Sequence, residues 1–327
     1  MKITLPDRLN DFTVKDVIAS MEIDHSIHEI TIDFSDLGVA YPIGTLAFAQ
    51  YIKYNIINRN REFKYVSQNR FTAAIGYLTS VGFFKYLGAD PPCTGTSRIN
   101  KTYISMSTIE YSHLRSRMRD EENTNGNKMP IQEVIQEYSD NYSYWIFNKV
   151  EPVVAYCFRE IIRNVFEHTN ALYCSVFGQI YDKRDEIEIC IADAGAGIRN
   201  TLARKYQECT DDEWALQNSI LPGVTSGSVT NAGKYDNSGF GLYVLSEIAK
   251  KFGYMSLCSG EKLLRVDHRG VRMYDHNYLG TFVGLNLKYS KLLSDAGIID
   301  NIIAEGECIS NKLGINGTAS TSSKNMT

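Results

Sequence analysis

Between Phe158 and Ala171 the chain reads FREIIRNVFEHTNA, and two strand-like stretches follow, LYCSVFGQIY (172–181) and EIEICIAD (186–193). This succession leaves few architectures open. Ile161, Ile162, Val165 and Phe166 recur at helical spacing, so a helix here carries an apolar stripe that needs covering. A helix with such a stripe, followed by strands, lays it on the sheet they form. Glu160, Asn164 and His168 stand at i, i+4 and i+8. A carboxylate, an amide and an imidazole therefore project from nearly the same side of that helix.

Composition narrows the classes. A chain of 327 residues, 43% hydrophobic and 22% charged, is long enough for two units that each bury a core. The net charge of −4 gives no basic excess of the kind that nucleic acid or an anionic membrane would demand. No apolar run approaches the ~18 residues of a membrane span, and the first thirty residues lack the apolar core of a leader. The seven cysteines (Cys93, Cys157, Cys174, Cys190, Cys209, Cys258, Cys308) form an odd set without a C-x-x-C pair. Such a set reads as reduced thiols in a cytoplasmic protein.

The periodicity divides the chain. In residues 1–97 a strand is expected over 29–37, a helix over 43–60, a strand over 62–67 and a helix over 70–88 broken near Gly82, which together suggest a small α/β unit. GADPPCTGTS (88–97) interrupts regular structure. Residues 98–149 read as a connector: a strand in TYISMSTIEY, a loop in EENTNGNKMP and a helix over 131–147. From 150 to 290 the pattern is helix, two strands, a helix from GAGIRNTLARKY, a polar loop over 221–238, a helix in GFGLYVLSEIAKKFG and closing strands. Residues 291–327 form a tail whose polar end, GINGTASTSSKNMT, is expected to be disordered. The fold class is α+β.

Two glycine elements add chemistry. IEICIADAGAGI runs apolar into Asp193 and then reaches Gly195 and Gly197. A carboxylate at the end of a buried strand accepts a hydrogen bond from an exocyclic amine, the group that separates adenine from guanine, and bare glycine backbone admits a flat ring. Taken alone, the same residues suit better an ordinary strand-to-helix turn in which Asp193 caps the helix. The second element, Gly239-Phe240-Gly241-Leu242, opens a helix, where free N–H groups and the dipole attract anions. It is neither a Walker loop nor a dinucleotide fingerprint, since no G-K-[ST] follows and a polar loop precedes it.

Taken in order, E-x-x-x-N-x-x-x-H, D-x-G-x-G, a loop, G-x-G-L and a strand bearing Gly280-Thr281 resemble the GHKL (Bergerat-fold) ATP-binding module. That module is shared by gyrase, MutL, histidine kinases and the anti-sigma serine kinases, and the resemblance covers about residues 150–289. It implies a two-layer α/β sandwich that binds ATP and Mg²⁺. Asn164 would be the metal ligand, and Glu160 the catalytic base that polarises water or a hydroxyl. Asp193 would read the adenine amine with Thr281 beside it, and Gly195 and Gly197 would admit base and sugar. Gly239, Phe240, Gly241 and Leu242 would form the phosphate-side element. His168 matches a position near the phosphates, although a helix-end histidine at the core edge fits it as well. The loop over 221–238 corresponds to the ATP lid, with Gly223, Gly227 and Gly233 as hinges and Thr225, Ser226 or Lys234 meeting phosphate.

Glu160 stands where histidine kinases usually carry a second Asn. Only 46 residues follow Thr281, too few for a transducer domain with a catalytic lysine. The anti-sigma serine kinase branch is nearest. The N-terminal unit is similar to the STAS fold of anti-sigma-factor antagonists. Their phosphoacceptor segment is replaced by Tyr41-Pro42-Ile43-Gly44-Thr45-Leu46, so the unit would be a docking surface or a built-in pseudo-substrate.

The resulting expectation is a cytoplasmic Mg²⁺-dependent ATP-binding switch that slowly hydrolyses ATP or phosphorylates a protein Ser/Thr, with a regulatory protein as partner and a homodimer as one possible state. Two alternatives stay open: a non-catalytic nucleotide-gated interaction module, and histidine-kinase-type phosphotransfer.

Overall fold

The computed structural model describes residues 1–24, 26–69, 72–93, 103–126, 129–149, 151–227, 238–295, 297–315 and 317–320. The first unit comprises β1 (Lys2–Thr4), β2 (Arg8–Leu9), α1 (Val14–Glu22), β3 (Glu29–Asp33), β4 (Val39–Ala40), α2 (Pro42–Arg59), β5 (Glu62–Val66), α3 (Ala73–Ser80) and α4 (Phe83–Leu87). Strands β1, β3 and β5 form a parallel sheet in the order β1-β3-β5, and β2 pairs with β4. The strand expected over 29–37 stops at Asp33, whose Oδ1 accepts from the Ser35 N–H at 2.9 Å and turns the chain. The break near Gly82 falls between α3 and α4, at a φ of 85°.

Helix α2 is apolar nearly all round, and the fold explains why. It lies between the three-stranded sheet's unit and a second, larger sheet, so the residues from Pro42 to Ile52 are all buried. Proline at its first turn removes an N–H that would have no partner inside the helix. Thr45 is fully buried in this helix and its Oγ1 has no hydrogen-bond partner, so its hydroxyl is closed to solvent.

The second unit runs through β6 (Tyr103–Glu110), α5 (Tyr111–Asn125), α6 (Ile131–Phe147), α7 (Pro152–His168), β7 (Tyr173–Tyr181), β8 (Glu186–Asp193), α8 (Gly197–Leu202), α9 (Asp212–Ser219), α10 (Gly241–Phe252), β9 (Gly253–Asp267), β10 (Gly270–Lys288), α11 (Tyr289–Leu293) and α12 (Ile298–Lys312). Its antiparallel sheet has the order β6-β7-β8-β10-β9.

Residues 103–126 and 129–149 pack with this unit. β6 is the edge strand beside β7, and α6 packs on α7 through Tyr142 and Phe158, whose rings stand 5.3 Å apart. The expected loop over 121–130 is helical as far as Asn125. The expected tail contains α12, and Ala319 and Ser320 beyond it are buried. Residues 321–327 lie outside the described residues.

Alternation along the strands divides the larger sheet into two faces. Ile187, Ile189 and Ile191 of β8, with Val283, Leu285 and Leu287 of β10, join the core under α7 and α10. Cys190, Ala192, Phe177 and Phe282 point the other way, into one continuous core with α2 and the first unit. Hydrogen bonds also cross this second interface. Ser175 Oγ donates to Gln50 Oε1 at 2.6 Å, and the Ile43 N–H at the start of α2 donates to Glu188 Oε1 at 2.9 Å. Glu188 is fully buried there, and burial pushes its carboxyl up to about 7. Among the described residues no helix is long and apolar enough to cross a membrane.

Candidate functional site

A cleft opens between the C-terminal half of α7, the ends of β8 and β10, α8 and the start of α10. Residues from five separated stretches meet there. Asn164, His168, Asp193, Thr225, Ser226, Gly239, Gly241, Leu242 and Thr281 all line it. Residues 228–237, including Gly233 and Lys234, lie outside the described residues.

Strand parity places the acid. Asp193 continues the series Ile187, Ile189, Ile191, so it emerges on the α7 face as the strand runs out into the cleft. It is 2% exposed, and burial raises its carboxyl to about 7, opposed by the Gly195 N–H that donates to Oδ1 at 2.6 Å. Thr281 is its register partner on β10 and lines the same cleft. The Thr281 hydroxyl stands 3.4 Å from Ser259 Oγ, which donates to the Gly280 carbonyl at 2.9 Å.

Helix α7 distributes its three polar residues unevenly. Four residues turn a helix by about 40° beyond a full turn, so the three side chains fan out over about twice that angle. Asn164 and His168 reach the cleft, whereas Glu160 does not line it. Glu160 is buried, with Oε1 accepting from Arg159 Nε at 3.0 Å and lying 3.9 Å from an Arg163 nitrogen. Arg159 is in turn held by Gln136 of α6, and Arg163 by Glu167. The second oxygen, Oε2, lies where a Cβ on Gly241 would stand, at 2.6 Å from it. One backbone residue thus separates this carboxylate from the cleft.

Asn164 carries an anomaly. Its Nδ2 is buried and has no hydrogen-bond partner, although a buried amide normally finds one. His168 Nδ1 is 3.1 Å from the Ser226 hydroxyl. The Thr225 carbonyl accepts from Lys205 Nζ at 3.0 Å and from Tyr206 OH at 3.3 Å, and the Gly227 carbonyl accepts from Lys205 at 3.1 Å. The stretch that carries Thr225 and Ser226 is therefore anchored to the chain after α8.

Three expected residues take other positions. Gly195 and Gly197 border a neighbouring hollow with Arg199, Asn200 and Asp212 rather than the cleft itself. A Cβ on Gly195 would meet Thr169 Oγ1 at 2.4 Å, so glycine there lets the end of α7 close onto the strand. Gly197 adopts a φ of 77° at the start of α8. Phe240 turns its ring away and is fully buried against Tyr243, with centroids 6.2 Å apart.

The cleft also contains Thr169, Thr201 and Ser219, which no motif singled out. Thr169 directly follows His168, the one available hint. Gln136 and Lys205 act through neighbours on other elements, which spacing within a motif does not encode.

Among the described residues no three His, Cys, Asp or Glu side chains gather to hold a metal by themselves. Compared with models of known protein families and with curated protein sequences, the chain matches none.

Proposed function

We propose that the cleft binds ATP with Mg²⁺ and that the chain is a cytoplasmic switch regulating a protein partner, in the manner of GHKL proteins carrying a STAS-like unit. The observation that carries the reading is the pairing of buried Asp193 with Thr281 at the inner end of the cleft. An acceptor and a hydroxyl side by side suit an adenine edge, which offers an amine beside a ring nitrogen. The apolar walls, Ile161, Val165, Ile191, Ile198 and Leu202, suit the faces of a base.

The residues present fit a nucleotide and its cation. Asn164 lines the cleft; its amide oxygen is a hard donor suited to Mg²⁺ shared with phosphate. When bound, the cation would offset phosphate charge. Gly239 and Gly241 bring bare backbone to the start of α10, where N–H groups favour an anion. His168 and Ser226 add a hydrogen-bonding pair on the same side.

Glu160 is the base for hydrolysis or for transfer to a Ser/Thr hydroxyl. Arg159 and Arg163 engage Oε1, so Oε2, beside Gly241, is the oxygen left to hold the proton. The same geometry favours a second reading, an ATP-gated interaction module without turnover, because Glu160 is buried behind Gly241 and ion-paired.

Equilibrium binding of ATP and GTP with Mg²⁺ tests the proposal. Micromolar ATP binding with at least about tenfold preference over GTP is expected. Equal binding of both, or of neither, would overturn it.

A further inference from the structure

The described residues after α12 are fastened beside the cleft. After α12 the chain doubles back: the Gly317 N–H donates to Ser310 Oγ at 2.8 Å and the Ala319 N–H donates to Glu307 Oε1 at 2.9 Å. Three glycines meet where it lands. The Gly223 N–H donates to the Gly239 carbonyl at 3.1 Å. A Cβ on Gly317 would stand 2.7 Å from Gly223 Cα, and a Cβ on Gly223 would stand 2.9 Å from Ser310 Oγ. The buried Phe240 ring closes the side of this junction, 3.5 Å from the Gly317 Cβ position and 3.1 Å from that of Gly306.

The two strands of chain that enter the junction both continue into the cleft. Val224, Thr225 and Ser226 follow Gly223 and line the cleft, as do Gly239, Gly241 and Leu242 around Phe240. A packed interior cannot absorb an added methyl group without moving something. Here the nearest neighbour of a Gly317 methyl group is a backbone atom, the Gly223 Cα, so the movement passes along that backbone to the cleft-lining residues after it.

We propose that Ser310 and Gly317 are positioning residues for the cleft. The segment around Ser310 and Gly317 acts as a clamp that sets where Thr225, Ser226 and the start of α10 stand, and so couples that segment to ligand affinity. Only the identity of the ligand rests on the nucleotide reading above; the coupling itself does not.

The test uses full-length Gly317→Ala and Ser310→Ala, with Gly297→Ala as control, since a Cβ at Gly297 would find only Asn301 Nδ2 at 3.8 Å. Amide hydrogen exchange of the ligand-free protein is followed peptide by peptide, and Mg-ATP affinity is measured in parallel. In Gly317→Ala, exchange over 221–227 and 239–245 should quicken about tenfold while α7 and β8 stay as in wild type. Mg-ATP affinity should weaken at least about fivefold. Ser310→Ala should move both in the same direction, and Gly297→Ala neither. Local quickening in a protein that binds no ATP upholds the clamp and removes only the nucleotide reading. Unchanged exchange over 221–227 in both variants, or quickening spread evenly over the chain, would overturn the clamp.

Discussion

Asp193 and Thr281 face each other as register partners across the antiparallel β8–β10 pair, both buried and both bordering the cleft. Two residues 88 positions apart in sequence thereby stand side by side at one edge of the cleft, an adjacency that the β8–β10 register sets.

Asp193→Asn should weaken ATP binding about tenfold, since a hydrogen bond to a carboxylate exceeds one to a neutral amide by roughly 1–2 kcal/mol. The preference for ATP over GTP should shrink with it. Calorimetric titration with both nucleotides reads this directly; an unchanged ratio would take base recognition away from Asp193.

Binding should also depend on pH. Burial raises Asp193 to about 7, and an amine donor favours the ionised acceptor. Affinity should therefore hold above pH 7 and fall below it, approaching about tenfold per unit. Asp193→Asn should flatten that slope; a slope that survives unchanged would take the pH dependence away from Asp193.

Asn164→Ala offers a test with opposite signs. The side chain leaves Nδ2 buried and unpartnered, so removing it should cost little stability, within about 1 kcal/mol in either direction. Mg²⁺ enhancement of ATP binding should be lost. Thermal unfolding without ligand, set beside ATP titrations with and without Mg²⁺, separates the two effects. A large fall in Tm with intact Mg²⁺ dependence would make Asn164 a structural residue.

For the reaction, Glu160→Gln is preferable to Glu160→Ala, because Gln keeps an acceptor for the buried Arg159 Nε–H whereas Ala leaves that donor unmatched. If the cleft turns over ATP, Glu160→Gln should retain binding and release or transfer no labelled γ-phosphate. Label that moves at the wild-type rate would exclude Glu160 as the base. Binding without label transfer in the wild type itself would favour the gated module.

The interface between the two units should carry a pH signature of its own. Glu188 titrates near 4.5 when unfolded and at about 7 in the fold. The folded state therefore holds a proton that the unfolded state has released between those values, and stability falls as pH rises through that window. Above pH 7 the full penalty applies, at most about 3 kcal/mol. Glu188→Gln keeps an acceptor for the Ile43 N–H and should raise Tm at pH 8 while leaving it nearly unchanged at pH 4.5. A lower Tm at pH 8 would contradict this account.

Much of the local structure was legible from periodicity. The helix over 131–147, the strand over 186–193 and the division of α3 from α4 at Gly82 follow from apolar spacing and one glycine. These are short-range effects: a repeat of 3.6 or 2 residues marks the face to be buried without naming what buries it. Misreadings arose where local polarity was overruled. EENTN joins α5 despite its loop-like composition, and the expected tail holds a helix whose Ile298, Ile299, Ile302 and Ile303 enter the core under α10.

The chemistry divides in the same way. That Asp193 ends a buried strand and that Asn164 and His168 share a helix side are local facts, decided by residue order and backbone geometry. Which of the aligned side chains reaches the cleft depends on the partners α7 meets. Arg159, ordered by Gln136 of α6, draws Glu160 aside, and Gly241 passes in front of it. The glycines of D-x-G-x-G serve close packing against Thr169 and the turn into α8. Gly223, Gly239 and Gly317, spread over nearly a hundred residues, meet at one point. Register across a sheet and contact between distant segments arise from the packing of the whole chain, and no spacing within a motif encodes them.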